Sequence, residues 1–171
     1  MGKVVLIPKA DKPRSDVVRA WRMIHLLPCL AKMTERILYR MAKEVELEPS
    51  QFGSWKKRGV HNGMVVVYEF LRHNKHMKCA ILSMDIEGGF DNIDMDMLSD
   101  ILVARACPEY LVCWVRRWAG DCSVRFKFNG RISKVYHVTK GIPQSSLLSP
   151  FIFGVYVADV FPLRLWYTLS F

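Results

Sequence analysis

The residues best suited to chemistry stand in one block, Met84-Asp85-Ile86-Glu87-Gly88-Gly89-Phe90-Asp91, directly after the apolar run Ala80-Ile81-Leu82-Ser83. A run of this length bounded by turn residues predicts a buried strand. A strand that releases an Asp at its C-terminal end, where the chain turns at once, sets a carboxylate beside a cleft as a metal ligand. The plainer alternative is an Asp that begins a turn, with Asp91 or Asp94 capping the next helix. Asp94 reads as such a cap, and the pattern alone leaves both readings of Asp85 open. A second block, Gly141-Ile142-Pro143-Gln144-Ser145-Ser146-Leu147-Leu148-Ser149-Pro150, reads as a rigid turn feeding an apolar helix, whose first N–H groups carry a positive dipole end. A turn and cap built by Ser145 and Ser146 would account for the same residues. A third stretch, Gln51 to Val60, sets Lys56, Lys57 and Arg58 beside Phe52 and Trp55 between two glycines. Such a basic loop with aromatic neighbours can hold a sugar-phosphate backbone and stack on a base.

In order and spacing, the first two blocks resemble two successive motifs of reverse transcriptases from non-LTR retrotransposons. The likeness runs from Val4 to about Val157. It implies an α+β fold comprising the fingers and partial palm of a right-hand polymerase, with the thumb absent. Residues 1–78 would be a fingers-like basic region, 79–160 a partial palm and 161–171 an apolar tail. By the resemblance, Asp85 is the catalytic carboxylate that bridges two Mg²⁺ ions, and the carbonyl of Ile86 is a further metal ligand. Phe90 would lie beneath the sugar and exclude a 2′-hydroxyl, and Gln144 would pack against the incoming base pair. Arg22, with Lys9 or Lys12, would grip the triphosphate, a task that suits a planar guanidinium. Trp55, Lys56, Lys57 and Arg58 would meet the template or primer–template backbone. The implied partners are an RNA template, a DNA primer and deoxynucleoside triphosphates. Plainer roles exist for two of these residues: Phe90 as core, and Arg22 as the ion-pair partner of Asp16.

The chain also departs from the family pattern. Arg22-Met23-Ile24-His25 stands where Arg-Pro-Ile-Ser is usual, Gly89 where Ala is more common, and Ser145 where Gly is expected. A glycine supplying positive φ or room for substrate would be missed at that last position. The family's third motif, Tyr/Phe-x-Asp-Asp, has no counterpart, because the sequence contains no Asp-Asp pair. Tyr156-Val157-Ala158-Asp159 falls too early and carries one Asp, so Asp159 reads as structural. These departures predict a chain that is inactive alone. The rival readings are a non-catalytic RNA- or DNA-binding remnant, and a poorly folding fragment exposing Leu163, Leu165, Trp166 and Phe171.

The elements that must position these residues can be read from composition and period. The 171 residues are 51% hydrophobic with a formal charge of +9, enough chain for one domain with a real core and too apolar for disorder. Residues 1–75 hold 15 Lys and Arg against 7 Asp and Glu; residues 76–171 hold 10 against 9. A basic front half beside a nearly neutral half carrying acidic residues points to a polyanion surface next to a metal site, with a solvated basic face as the alternative. Five cysteines without a Cys-x-x-Cys pair read as buried thiols of an intracellular protein, nuclear or cytoplasmic, forming neither a disulfide framework nor a zinc site. No targeting signal is recognisable, and the apolar stretch from Leu147 to Leu165 is too interrupted to span a membrane.

Val4–Ile7 reads as a strand stopped by Pro8. A helix is expected from Pro28 to about Val45, with Leu30, Met33, Ile37, Leu38 and Met41 toward the core and Glu35 and Arg36 in solvent. Further helices are expected over about 64–74, 95–106 and 109–119, the last with Leu111, Val112, Val115 and Trp118 inward. Ser123–Phe128 alternates strictly, Asn129-Gly130 is a hairpin turn, and Ile132 to Val138 returns.

Overall fold

The computed structural model describes residues 2–9, 20–42, 45, 49–54, 57–120, 122–128 and 130–158. In these residues five helices and a mixed five-stranded sheet follow one another without regular β-α-β alternation, as the α+β expectation requires. The sheet is built from β1 (Gly2–Pro8), β2 (Trp21–Leu26), β3 (Ser123–Phe128), β4 (Arg131–Ile132) and β5 (Tyr136–His137). Its order is β2-β1-β3-β4, with β5 also paired to β3. β1 runs antiparallel to β2, with Val4 opposite His25, and parallel to β3, with Val4 opposite Phe126. The parallel pair needs a long crossover, and the helical part of the chain fills it.

The expected hairpin forms, with Gly130 at φ +76° in the turn. Its return strand is broken in two. Lys127 pairs with Ile132 while Val124 pairs with Tyr136, so three steps on one strand match four on the other, the signature of a β-bulge. Ser133 sits in the break. Its hydroxyl accepts from the Phe126 N–H and donates to the Lys134 carbonyl, replacing a ladder bond.

The helices are α1 (Cys29–Met41), α2 (Val60–His73), α3 (Met95–Ala104), α4 (Glu109–Gly120) and α5 (Ser149–Val157). Asp94 caps α3 as its position predicts, its Oδ1 accepting from the N–H groups of Asp96 and Met97. The other end of α3 closes at Ala106, which takes φ +51°, while the Cys107 N–H donates to Leu102. The main core lies among α3, α4, α5 and the inner face of α1. Leu98, Leu102, Leu111, Val115, Leu148, Ile152 and Val155 are fully buried, joined by Leu38, Ala42, Ile93 and Ile142. Of the expected α4 face, Leu111, Val112 and Val115 are buried and Trp118 packs at the margin, stacked on Trp114.

The structure corrects three sequence expectations. First, α1 is turned about its axis. Leu38 is buried as expected, but Leu30, Met33, Ile37 and Met41 are exposed, while Glu35 is 2% exposed. A buried carboxylate is tolerable when it is hydrogen-bonded, and Glu35 Oε2 accepts the Leu147 backbone N–H at 3.1 Å. Second, the run Ala80–Met84 is no buried strand: from Lys78 to Glu87 the chain has no regular structure before the turn and every residue is exposed. An extended segment needs a ladder partner for its backbone groups, and no described strand lies beside it. Third, the cysteines are not uniformly buried. All five are free, but Cys29, Cys79 and Cys113 are exposed. Burial pushes the thiols of Cys107 and Cys122 above the usual range, which keeps them protonated and inert at neutral pH.

Candidate functional site

The two motif blocks meet. After Asp85 and Ile86 the chain enters a turn from Glu87 to Asp91, in which Gly88 adopts φ +64°. The second block lies directly on this turn. Gly141 donates its N–H to the Ile93 carbonyl and Ile142 donates to the Phe90 carbonyl, each at 2.8 Å. Gly141 has φ +84°, and a Cβ there would come within 2.7 Å of the Asp91 carbonyl oxygen. Only a glycine gives the bend both this backbone conformation and this approach.

From the bend, Gln144 reaches back to the first block: its Nε2 donates to both carboxylate oxygens of Asp91, at 3.1 and 3.4 Å. A carboxylate only accepts, so it fixes which end of the amide faces it and leaves Oε1 directed elsewhere. The next residue ties the bend to the sheet, the Ser145 hydroxyl donating to the His25 carbonyl of β2. Ser145 does not take a positive φ, so a side chain where the family has glycine meets no backbone strain here. Ser146 Oγ then accepts the Leu148 N–H at 3.1 Å, supplying the local turn bond its position suggests. The bend is thus held by Asp91 on one side and by His25 and Glu35 on the other.

Phe90 is half-buried and stacks on Phe153 of α5, with centroids 4.9 Å apart and planes 17° from parallel. A Cβ on Gly89 would lie 2.8 Å from the Phe153 ring, so the glycine in place of the usual alanine makes room for that stack. Asp85 stands outside this packing. It is exposed, and no described residue bonds to it; nor does Ile86 enter the core, being 47% exposed. The expectation that Asp85 leaves an interior strand into a pocket shared with the bend is therefore not met. What meets the bend is the turn that follows it.

The cationic residues fall into two places. Arg22 lies on β2 opposite Ile7, and Trp21 pairs with Pro8, so Lys9 and Arg22 share one end of the β1–β2 ladder; the Lys9 N–H donates to the Ala20 carbonyl. Lys12, and Asp16 as the alternative partner of Arg22, lie outside the described residues. In the basic loop, Trp55 and Lys56 also lie outside them. Lys57 is exposed with φ +65°. Arg58 braces the loop, donating to the carbonyls of Pro49 and Gln51 at 2.8 and 3.3 Å.

Sequence reasoning missed three residues that shape this site. Asp91 was legible only as a helix cap, Glu35 as a solvated side chain, and His25 as a departure from a family pattern. His25 Nδ1 is buried without a partner among the described residues. Burial holds its imidazole below the usual range, against the opposing pull of Asp91.

Comparison with known proteins decides what these motifs belong to. The model of the family described as reverse transcriptase (RNA-dependent DNA polymerase) matches residues 7–165. The chain belongs to that family. Among curated relatives, this reverse transcriptase domain is 25% identical over 175 residues to the probable RNA-directed DNA polymerase from transposon BS of Drosophila melanogaster, an alignment covering 94% of this chain and 18% of the relative. It is 27% identical over 168 residues to the RNA-directed DNA polymerase from mobile element jockey of the same fly, with 93% and 18% covered. It is 28% identical over 164 residues to the putative 115 kDa protein in type-1 retrotransposable element R1DM, with 95% and 16% covered. The domain therefore resembles the polymerases of non-LTR retrotransposons along nearly all its length, and it spans less than a fifth of the relatives it matches.

Proposed function

We propose that this reverse transcriptase domain supplies one side of the nucleotidyl-transfer centre of a retrotransposon RNA-directed DNA polymerase. Residues 1–78 would serve as its fingers and 79–160 as part of its palm. The observation that carries the proposal is the seating of the Gly141–Gln144 bend on the Gly88–Asp91 turn, through Ile142–Phe90 and Gln144–Asp91. It joins Asp91 of the first motif block to Gln144 of the second, 53 residues apart, on the turn that follows Asp85 in the chain.

Adding a deoxynucleotide to a primer end is in-line phosphoryl transfer, in which positioning and charge neutralisation carry most of the catalysis. In this reading Arg22, with Lys9 or Lys12, binds the triphosphate, Gln144 packs on the base pair, and Phe90, backed by Phe153, closes the space beneath the sugar. Lys57, with Trp55, Lys56 and Arg58 on the same loop, follows the nucleic-acid backbone. The Asp85 carboxylate and the Ile86 carbonyl are hard oxygen donors of the kind Mg²⁺ takes, and Asp85 is exposed and free to ligate. When bound, a pair of such ions neutralises charge on the attacking and leaving oxygens. One carboxylate is too few for such a pair, and the described residues hold no group of three His, Cys, Asp or Glu that could bind a metal. The proposal therefore includes that the 171 residues alone do not turn over.

One observation favours the binding-only alternative, the exposure of the whole stretch Ala80–Ile86 that should carry the metal ligand. Deoxynucleotide binding with and without Mg²⁺ separates the two. The polymerase reading expects Mg²⁺ to tighten binding in the wild-type chain and not in Asp85→Asn. Binding indifferent to Mg²⁺ in both would leave only the remnant. Primer extension on an RNA template should give no product, and an Asp85-dependent product would overturn the claim of inactivity.

A further inference from the structure

Two contacts of the proposed nucleotide site are carried by segments far apart in the chain, Arg22 on β2 and Gln144 on the bend. β2 is an edge strand of the sheet, so its outward carbonyls have no ladder partner there. The Ser145 hydroxyl takes one of them, donating to the carbonyl of His25, 120 residues earlier. Three residues of strand, about 10 Å, separate His25 from Arg22, and Ser145 is the immediate neighbour of Gln144. Other bonds of the bend run elsewhere: those of Ile142 and Gln144 go to the turn at Phe90 and Asp91, and that of Leu147 goes to Glu35 of α1. Burial holds the His25 imidazole below the usual range, and Asp91 is near enough to pull against it. Strand end, bend and turn therefore form one cluster. The hydroxyl is particular to this chain, because the glycine usual in the family at this position has no group to make the bond.

We propose that Ser145 is a positioning residue, its hydroxyl fixing the bend against β2 so that a single nucleotide meets Arg22 and Gln144 together. Such a ligand is held at two points, by its phosphates at one and its base at the other. Where the two points drift, each binding event must first order them, and that ordering is subtracted from the affinity. A bond that sets their separation beforehand removes the cost. The benefit belongs to ligands that reach both points. A ligand with phosphates and no base touches the Arg22 side alone and gains nothing from the tie. The inference rests on the polymerase reading, which supplies Arg22 and Gln144 as nucleotide contacts.

The test is titration calorimetry of the full chain with thymidine triphosphate and, separately, with inorganic tripolyphosphate, both in the presence of Mg²⁺. S145A removes the hydroxyl without backbone strain, since Ser145 does not take a positive φ. It should weaken thymidine triphosphate roughly threefold to tenfold, the worth of one hydrogen bond, and leave tripolyphosphate unchanged. S145T keeps the hydroxyl and should bind both ligands as the wild type does. In an R22Q background, where the phosphate hold is weakened, S145A should cost less than in the wild-type chain. Equal weakening of both ligands by S145A would reduce Ser145 to a structural role and overturn the proposal, as would an S145T chain as weak as S145A. A wild type that binds both ligands, with S145A indistinguishable from it, overturns the tie and leaves the polymerase reading standing. A wild type that binds neither ligand overturns that reading and the tie with it.

Discussion

The buried carboxylate of Glu35 on α1 accepts the backbone N–H of Leu147, a residue 112 positions further along the chain, at 3.1 Å. This bond fastens the bend that carries Gln144 to the helix beneath it. Removing the carboxylate takes the acceptor from the Leu147 N–H and leaves a hole at a buried position. Glu35→Ala should therefore lose about 2–4 kcal/mol of stability. Glu35→Gln keeps an acceptor oxygen in place and should lose less than half as much. Denaturant unfolding of both variants checks the order, and equal losses would show that packing alone matters at this position.

Gly141 and Gly130 provide a matched comparison. Both have positive φ, +84° and +76°, but a Cβ on Gly141 meets the Asp91 backbone while one on Gly130 meets open space. Gly130→Ala should cost only the left-handed conformation, about 1 kcal/mol. Gly141→Ala adds a clash with backbone that has no side chain to move aside, and should cost about 2–4 kcal/mol. If the two melt alike, the contact between the bend and the Asp91 turn is looser than the hydrogen bonds indicate.

The sequence made the local features legible and the long-range ones only partly so. Asp94 capping, the Gly130 turn and the inward face of α4 follow from signals within a few residues, and the structure has all of them. The face of α1 was misread because Leu30, Met33, Ile37 and Met41 keep helical spacing as well as Glu35, Leu38 and Ala42 do. Periodicity does not say which stripe meets the core, and the deciding partner, Leu147, is far away in sequence. The Ala80–Met84 run failed for a related reason: its composition suits a strand, but a strand exists only where another lies beside it. The Ile132–Val138 return was read as continuous because nothing in its alternation betrays the bulge at Ser133. For the site, motif order located both blocks, yet no local signal could show that Asp91 and Gln144 bond to each other.

His25 makes stability depend on pH. Its imidazole lies below the usual range in the folded chain because burial disfavours the cation. The unfolded chain therefore binds a proton more readily, and stability should fall as pH drops through about 6.5 and level off below the folded value. His25→Asn should flatten that part of the profile. The check is the midpoint of urea unfolding measured from neutral to mildly acidic pH. A wild-type profile that matches the variant's would remove His25 as its cause.

The Asp91–Gln144 bond is the side-chain link between the two motif blocks, and a double-mutant cycle can isolate it. Both side chains are exposed, so solvent weakens the bond and the coupling energy for Asp91→Ala with Gln144→Ala should be modest, about 0.5–1 kcal/mol. Its consequence for a ligand should be larger than its consequence for stability. With Asp91 present, the amide nitrogen is engaged and Oε1 is the atom left to face a bound nucleotide. Asp91→Asn offers the amide a partner that can either donate or accept, so both orientations of Gln144 become available while shape and packing are kept. Deoxynucleotide affinity in the presence of Mg²⁺ should then fall in Asp91→Asn, by roughly up to tenfold, with little change in unfolding midpoint, and Gln144→Ala should cost less in that background than in the wild-type chain. Independent, additive losses from the two substitutions would mean that Asp91 acts on the nucleotide by a route other than Gln144.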